Sequence, residues 1–390
     1  MGIGLAVAFF CPPMAAWSQS ADPARKVGNI LTTLSSVSEF LVQVTLARVE
    51  ALQSALLLST AEARLVQSEI MSATSELSTM LASVSTEINN TASVLGGMSS
   101  PLSAALSCPI FEGGGTRLGE DSCAWARATG QRTTEFGVTT EGAGFSLGGQ
   151  REIASGWFLG GSLGGGSTWM QQGGAASLGQ NFSASIALKH VEGPWLLAGA
   201  VMATTSAIHM SRPAPGAGTM QSDLAVFRGG LRLRAAYDAA FDGWYIRPRI
   251  DLDVYRASTG GLQEYGPSST GIAVYGVTKT SFAIAPAIEL GGRVPMGVLL
   301  GRETILRAYL VGGAAILPDN NLTMTFSFTG PLAVAGGAPA VFVSPPVLGM
   351  VEAGLQLYQD KGLEMRMEYK LAGGESFLSQ GLGLRGAWHF

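Results

Sequence analysis

The last thirteen residues of the chain alternate between two kinds of side chain. One parity carries no charge, and its members include Leu378, Leu382, Leu384, Gly386, Trp388 and Phe390. The other parity is small or polar, with Gly381, Gly383, Arg385, Ala387 and His389. A period of two indicates a β-strand, because successive side chains point to opposite faces. An apolar face that ends on an aromatic residue is typical of the closing strand of an outer-membrane β-barrel.

The composition allows two classes of protein. Charged residues make up 13% of the chain and the mean hydropathy is +0.28, yet no run of about 18 apolar residues is present to form a membrane helix. A soluble protein with a large core fits these values, and so does a transmembrane barrel whose apolar residues occupy alternate positions. A net charge of −4 gives no reason to expect nucleic-acid binding.

Long alternating segments fill residues 123–390 and favour the barrel. We predict twelve antiparallel strands, at 123–133, 139–152, 156–170, 178–191, 194–210, 221–238, 243–257, 271–292, 303–316, 341–359, 362–372 and 377–390. Their lengths approach the 9–11 residues that a tilted strand needs to cross a bilayer. Several begin or end in aromatic residues, among them Trp157, Trp195, Trp244 and Trp388, as interfacial girdles do.

The predicted connections alternate in length. The short ones are Ile153–Ser155, Glu192–Gly193, Ala239–Asp242 and Asp360–Lys361. The long ones are Trp169–Ser177, Ser211–Met220, Ser258–Thr270 and Leu317–Ala340, and the connection 293–302 is long for a turn on the short side. Short turns on one side and long loops on the other are typical of outer-membrane barrels. An even strand number places both ends of the barrel sequence on the short-turn side.

The N-terminal part differs in composition. Residues 1–20 combine a short apolar core with small residues and predict a secretory signal peptide. Residues 21–100 hold a stretch without glycine or proline from Asn29 to Leu95, with apolar residues at helical spacing. This predicts a long α-helical segment, serving either as a stalk or as an exported effector or adhesive helix. Residues 101–122 form a linker that contains Pro101 and Pro109 and cannot be one helix.

The linker is flanked by two cysteines. Cys108 and Cys123 are candidates for a disulfide, because an exported chain matures in an oxidising compartment. The alternatives are two unpaired thiols or a metal site, for which no histidine is near in the sequence.

The order of several short motifs resembles the autotransporter β-domain of type V secretion. These are Cys123–Arg127, Gly148–Gln150, Gly156–Trp157 followed by Gly160–Gly164, Gly243–Pro248 and Gly383–Phe390. The resemblance covers 123–390. It implies a monomeric twelve-stranded barrel that inserts with the barrel-assembly machinery and periplasmic chaperones, exports the segment before it and keeps a helix in its lumen. It also implies a membrane-insertion signal at the C-terminus, formed by Phe390, Trp388, Leu384 and Leu382.

Charged residues on the parity opposite the apolar face should line the lumen. The candidates are Arg228, Arg232, Arg234, Arg247, Asp251, Glu364, Arg366 and Glu368. They would either bind the helix or pair among themselves, as in porin interiors.

Catalytic chemistry is not indicated. The three histidines are scattered without a serine, aspartate or cysteine pattern, so we predict no catalytic, cofactor or metal residues. Asn89–Asn90 resembles the junction that some autotransporters cut autocatalytically, but Trp125 follows Asn90 by 35 residues, farther than in that subgroup, so ordinary asparagines at a helix end are the preferred interpretation. Replacing Asn89 without changing the mature fragments would exclude cleavage.

The combined interpretation is a non-enzymatic translocator in the outer membrane of a Gram-negative bacterium. Its barrel contacts lipid and exports its own short helical N-terminal segment, which ends in the pore or on the cell surface. The alternative is an outer-membrane channel plugged by the helix, with no exported segment. A soluble all-β protein with a helical stalk is the remaining class.

Overall fold

A computed structural model describes most of the chain after residue 107. It covers Ile88, Thr91, 108–112, 115–172, 174–214, 218–267, 271–299, 301–329, 337–359 and 361–390. The predicted signal peptide, Asn89–Asn90 and nearly all of the predicted helical segment lie outside the described residues. Ile88 and Thr91 are helical, with exposed fractions of 3% and 0%. No helix among these residues is long and apolar enough to cross a membrane.

The chain after the linker is built from antiparallel strands. They are β1 (Pro109–Phe111), β2 (Leu118–Glu120), β3 (Cys123–Glu135), β4 (Val138–Ala154), β5 (Trp157–Gln172), β6 (Ala175–Glu192), β7 (Trp195–Ala214), β8 (Gly218–Tyr237), β9 (Ala239–Ala240), β10 (Trp244–Gln263), β11 (Ile272–Leu299), β12 (Arg302–Ile316), β13 (Asn321–Phe328), β14 (Ala338–Val343), β15 (Val347–Gln359), β16 (Leu363–Gly374) and β17 (Phe377–His389).

Twelve of these strands close into a barrel. The ring runs β10–β11–β12–β15–β16–β17–β3–β4–β5–β6–β7–β8 and returns to β10. The first and last barrel strands meet at the β17–β3 seam, where His389 pairs with Cys123 and Phe377 with Glu135. The predicted twelve-stranded antiparallel barrel is therefore confirmed. We call the end where β3 begins and β17 finishes the near end, and the opposite end the far end.

Several predicted connections are strand instead of loop. The segment 293–302 is mostly β11, so the turn to β12 is only 300–301. The loops expected at Trp169–Ser177 and Ser211–Met220 shrink to 173–174 and 215–217, because β5 to β8 continue beyond the apolar belt. The strand expected at 341–359 divides into β14 and β15. Hydrogen bonding between neighbouring strands extends these segments even where the apolar alternation has ended.

Burial alternates along the barrel strands, and the apolar parity is the exposed one. Trp157 and Trp169 on β5 share this outer parity, with exposed fractions of 40% and 41%. Twelve residues at about 3.3 Å each, on a strand tilted by about 40°, rise by roughly 30 Å. The two tryptophans thus bracket a belt of the height expected for lipid, since the apolar band of such barrels measures about 25 Å between aromatic girdles.

A second hairpin covers the far end. β13 pairs with the start of β11 at Ile272–Val274, and β14 pairs with β13. The ring of Phe342 on β14 reaches Phe136 at the β3–β4 turn, with 5.2 Å between the ring centroids. The Ser344 hydroxyl is 2.9 Å from a Glu135 carboxylate oxygen. The β13–β14 hairpin therefore spans from the β11 side to the β3 side of the far end.

Candidate functional site

The predicted lumen residues all lie on the inward parity of their strands. Arg228, Arg232 and Arg234 belong to β8, Arg247 and Asp251 to β10, and Glu364, Arg366 and Glu368 to β16. Three ion pairs form between predicted residues, one of them between Arg232 and Asp251 at 3.8 Å. Arg234 donates to Asp251 at 2.7 Å, and an Arg366 nitrogen lies 3.0 Å from a Glu364 oxygen.

Predicted residues also pair with charged residues that were not among the candidates from the sequence. Arg232 lies 2.7 Å from Asp253, Arg247 lies 3.2 Å from Asp238, and Glu368 lies 3.0 Å from Arg127. These described contacts join one wall strand to another, or to the adjoining turn at Asp238. Of the two arrangements considered from the sequence, mutual pairing of wall residues is the one that these contacts favour.

A buried polar cluster lies close to the near end and was not among the predictions from the sequence. The Tyr245 hydroxyl donates to Glu289, and Arg307 donates to both Tyr245 and Glu289. The side chains of Glu289 and Arg307 are only 5% and 4% exposed. The sequence did hold a signal for them. They alternate with Ile288, Leu290 and neighbouring apolar residues, and on a strand whose apolar residues face lipid a charged residue of the opposite parity faces the lumen.

The near end of the lumen holds the hairpin formed by β1 and β2, which we call the mouth hairpin (109–120). Its apolar residues Phe111 and Leu118 are 7% and 2% exposed and pack with Tyr245, Ile305 and Tyr358. The backbone amide of Phe111 donates to the Tyr358 hydroxyl at 2.9 Å. Residues that the sequence assigned to a linker are therefore a structured element inside the barrel.

A buried ion pair fixes the other strand of the mouth hairpin. Lys189 Nζ lies 2.6 Å from Glu120 Oε2, and both side chains are at most 2% exposed. The Gln150 amide also donates to Glu120, at 3.0 Å. Burial acts to raise the pKa of Glu120, but Lys189 and Gln150 lower it by more, so the pKa lies below its usual range. The carboxylate is thus held charged where it meets the wall.

The candidate disulfide residues lie at the base of the mouth hairpin. Cys108 and Cys123 are joined in the structure, with their Cα atoms 6.5 Å apart. Arg385 on β17 donates to Cys108 Sγ at 2.9 Å. Next to them, His389 lies between Asp121 and Glu364, at 3.2 Å and 2.8 Å. The described residues contain no group of three or more His, Cys, Asp or Glu side chains placed to hold a metal ion.

The predicted insertion residues lie on the outer face. Leu382, Leu384, Trp388 and Phe390 are 48%, 52%, 53% and 58% exposed. Phe390 is attached to the seam through its backbone amide, which donates to the Ser122 carbonyl at 3.1 Å. Trp388 joins Trp157, Trp195 and Trp244 in an exposed aromatic belt at the near end. These side chains face lipid rather than protein.

Comparison with known proteins agrees with this geometry. The family model described as "Autotransporter beta-domain" matches residues 124–370. The chain belongs to the autotransporter β-domain family. The expectation drawn from the sequence motifs is confirmed, and an autotransporter barrel of this kind is a transporter embedded in the outer membrane.

Two solved autotransporter domains share the fold. The translocator domain of NalP from Neisseria meningitidis is 14% identical, with a TM-score of 0.56, covering 70% of this chain and 89% of that one. The β-domain of the Bordetella autotransporter BrkA is 16% identical, with a TM-score of 0.52, covering 70% of this chain and 100% of that one. At these identities the likeness establishes the fold alone. No curated protein matches the sequence.

Proposed function

We propose that this autotransporter barrel carries its own N-terminal segment across the outer membrane and then anchors it. The path of the chain carries the proposal. Cys108 lies at the near end beside the start of β3, and Ile88 and Thr91, which precede it, are helical and buried. Two buried helical residues ahead of the barrel support a segment held inside the pore over one that hangs free in the periplasm.

The proposed orientation places the near end in the periplasm. Its connections are short, while the far end carries the long connection 317–346 with the β13–β14 hairpin, and outer-membrane barrels keep short turns on the periplasmic side. Insertion would use the barrel-assembly machinery and periplasmic chaperones, acting on a single chain, because one chain supplies all twelve strands. The exported segment is proposed to be a non-enzymatic helix.

Single-cysteine labelling on intact cells tests the direction of export. Cys11, Cys108 and Cys123 are replaced by serine, and one cysteine is introduced at Ser36 or Ser83. A membrane-impermeant maleimide should label the Ser36 site and leave the Ser83 site unlabelled, because the second is closer in sequence to the part proposed to stay in the pore. Absence of label at both sites on intact cells, with labelling after lysis, would overturn export.

The alternative function is a channel plugged by the helix, with nothing delivered to the surface. The β13–β14 hairpin favours it, because that hairpin reaches across the far end to Phe136. Proteinase K added to whole cells distinguishes the two functions. Loss of an epitope inserted after Asp22 supports export, and complete protection of the epitope supports the plugged channel.

A further inference from the structure

The mouth hairpin contacts wall strands on several sides of the near end. It reaches Gln150 on β4, Lys189 on β6, Tyr245 on β10, Ile305 on β12 and Tyr358 on β15. Going around the ring, at most three consecutive strands lie between one of these contact strands and the next. The widest interval, β16–β17–β3, lies beside the base of the hairpin, where Asp121 meets His389. The paired strands β1 and β2, with contacts on these sides, cross the opening instead of following one side.

One flank of the mouth hairpin is anchored by apolar packing. Phe111 lies edge-on against Tyr245, with 5.8 Å between ring centroids, and its ring is tilted against that of Tyr358, with 6.2 Å between centroids. The Pro109 carbonyl accepts a bond from Gln356 at 2.9 Å. Close packing of this kind leaves little space for water, since protein interiors are as dense as organic crystals.

The opposite flank is anchored by charge. Glu120 meets Lys189 with both side chains almost fully buried, and its second neighbour Gln150 also bonds the Asp121 carbonyl at 2.7 Å. Removing one member of such a buried pair would leave an uncompensated charge in the lumen. The two flanks therefore fix the hairpin from opposite sides of the ring.

The base of the mouth hairpin is fastened to the wall. The disulfide joins Cys108, just before the hairpin, to Cys123 at the start of β3, with a separation of 15 residues. The Asp121 amide also donates to the Cys108 carbonyl at 3.2 Å. A hairpin whose two ends are joined at the rim cannot be drawn away by the chain that precedes it.

We propose that the mouth hairpin is a stopper that closes the periplasmic mouth of the lumen to ions and small polar solutes. This function is separate from export. It would limit leakage of ions and small solutes through the barrel once export of the N-terminal segment has ended.

Conductance across planar lipid bilayers tests the stopper in the full-length chain. Phe111→Asp places a charge among Tyr245, Ile305 and Tyr358 and should displace the hairpin. The matched control is Arg117→Ala, which alters the same hairpin at a side chain that is 48% exposed and pairs only with Glu112 among the described residues. A thiol at Ile305, introduced as Ile305→Cys in both backgrounds, reports whether the hairpin has moved.

The expected result is a closed wild type, a closed Arg117→Ala protein and open ion conductance in Phe111→Asp. Labelling at the Ile305 site should become about tenfold faster or more in Phe111→Asp, because local opening controls access to a buried thiol. Conductance that stays closed while that thiol reacts rapidly would overturn the proposal, as would an open wild type.

Folding and export are measured separately. A heat-modifiable shift on gels verifies that each variant still forms the barrel, and Phe111→Ala provides a milder displacement if Phe111→Asp does not fold. Surface labelling at Ser36 remains the measure of export. If the wild-type barrel exports its segment and also conducts ions, the stopper proposal is wrong while the export proposal stands.

Discussion

The indole of Trp125 occupies the space that a side chain at Gly148 would need. The two residues pair across β3 and β4 with both side-chain directions inward, and a Cβ built on Gly148 would lie 2.4 Å from Trp125 Cζ2. The guanidinium of Arg385 sits 5.3 Å from the centre of the same ring. Absence of a side chain at Gly148 therefore leaves room for the indole beside the seam where the barrel closes.

We predict that Gly148→Ala destabilises the barrel. The new methyl group must displace Trp125 or the strand behind it, and overpacking of this kind costs about 1–3 kcal/mol. Urea unfolding of the refolded protein in detergent, followed by tryptophan fluorescence, measures the change. Gly386→Ala is the matched control on β17, because a Cβ there meets nothing within 4 Å. Equal effects from the two substitutions would contradict the packing argument.

Removal of a single lumen charge should lower the unfolding free energy by more than Gly148→Ala does. Glu368→Leu leaves the Arg127 guanidinium, 7% exposed, without its carboxylate, and breaking a buried pair typically costs about 3–5 kcal/mol. The double variant Arg127→Leu/Glu368→Leu should recover part of that loss in the same urea titration.

The control for the lumen pair is a surface pair on the adjacent strands. Arg132 and Glu141 lie 3.8 Å apart with side chains 65% and 44% exposed, so Arg132→Gln should change the unfolding free energy by less than about 1 kcal/mol. A Glu368→Leu protein as stable as the wild type would show that the lumen screens its charges as well as the surface does.

The strand positions could be predicted because lipid imposes a severe rule on one face. An outward residue such as Leu384 must be apolar, so parity alone separated it from Arg385 and gave the inward direction of Glu364 and Glu368. Strand limits were less accurate at the far end. There β5 to β8 continue into water, where both faces accept polar residues and the alternation disappears.

The mouth hairpin could not be predicted from the sequence. β1 and β2 have three residues each, too few for a periodic pattern, and their partners are distant in the chain. The Phe111 amide bonds to a tyrosine 247 residues away. Tertiary contacts of this kind decide the structure of a short segment, and the local residue propensities do not reveal them.

A carboxyl group in a near-end turn should make stability depend on pH. Asp238 lies between β8 and β9, outside the membrane-spanning strands, and burial raises its pKa to about 6 although Arg247 lowers it in part. In the unfolded chain the pKa is about 3.9. The folded state therefore binds the proton more tightly than the unfolded chain does. Protonation of Asp238 stabilises the fold at pH 4, and this contribution is lost as the pH rises through about 6.

Asp238→Asn imitates the protonated carboxyl and should raise stability at pH 7.5 by about 2–3 kcal/mol, with little change at pH 4. Urea titrations of both proteins across this range give the difference. Asp242→Asn, in the same turn but exposed, is the control. A destabilised Asp238→Asn protein at pH 7.5 would mean that the ion pair with Arg247 outweighs the cost of burial.

The disulfide makes a prediction about thiol reactivity. In a chain with Cys11 replaced by serine, a polyethylene-glycol maleimide should add to neither Cys108 nor Cys123 without reductant, and to both after reduction and unfolding. Replacing both cysteines by serine should lower the unfolding free energy by about 3 kcal/mol, the value expected for a closed loop of 15 residues. Reaction of either thiol in the untreated folded protein would exclude the bond.

The side chain of Phe390 should affect assembly of the barrel in the membrane but have little effect on the stability of the assembled barrel. Phe390 is 58% exposed and holds the seam through its backbone amide, which every residue type other than proline retains. Phe390→Ala should therefore unfold in detergent at nearly the same urea concentration as the wild type, yet reach the outer membrane of cells at a several-fold lower level. Phe145→Ala is the matched control, because its ring is 63% exposed on the same outer face. If both variants lose membrane levels equally, contact with lipid explains the effect and recognition of the C-terminal strand does not.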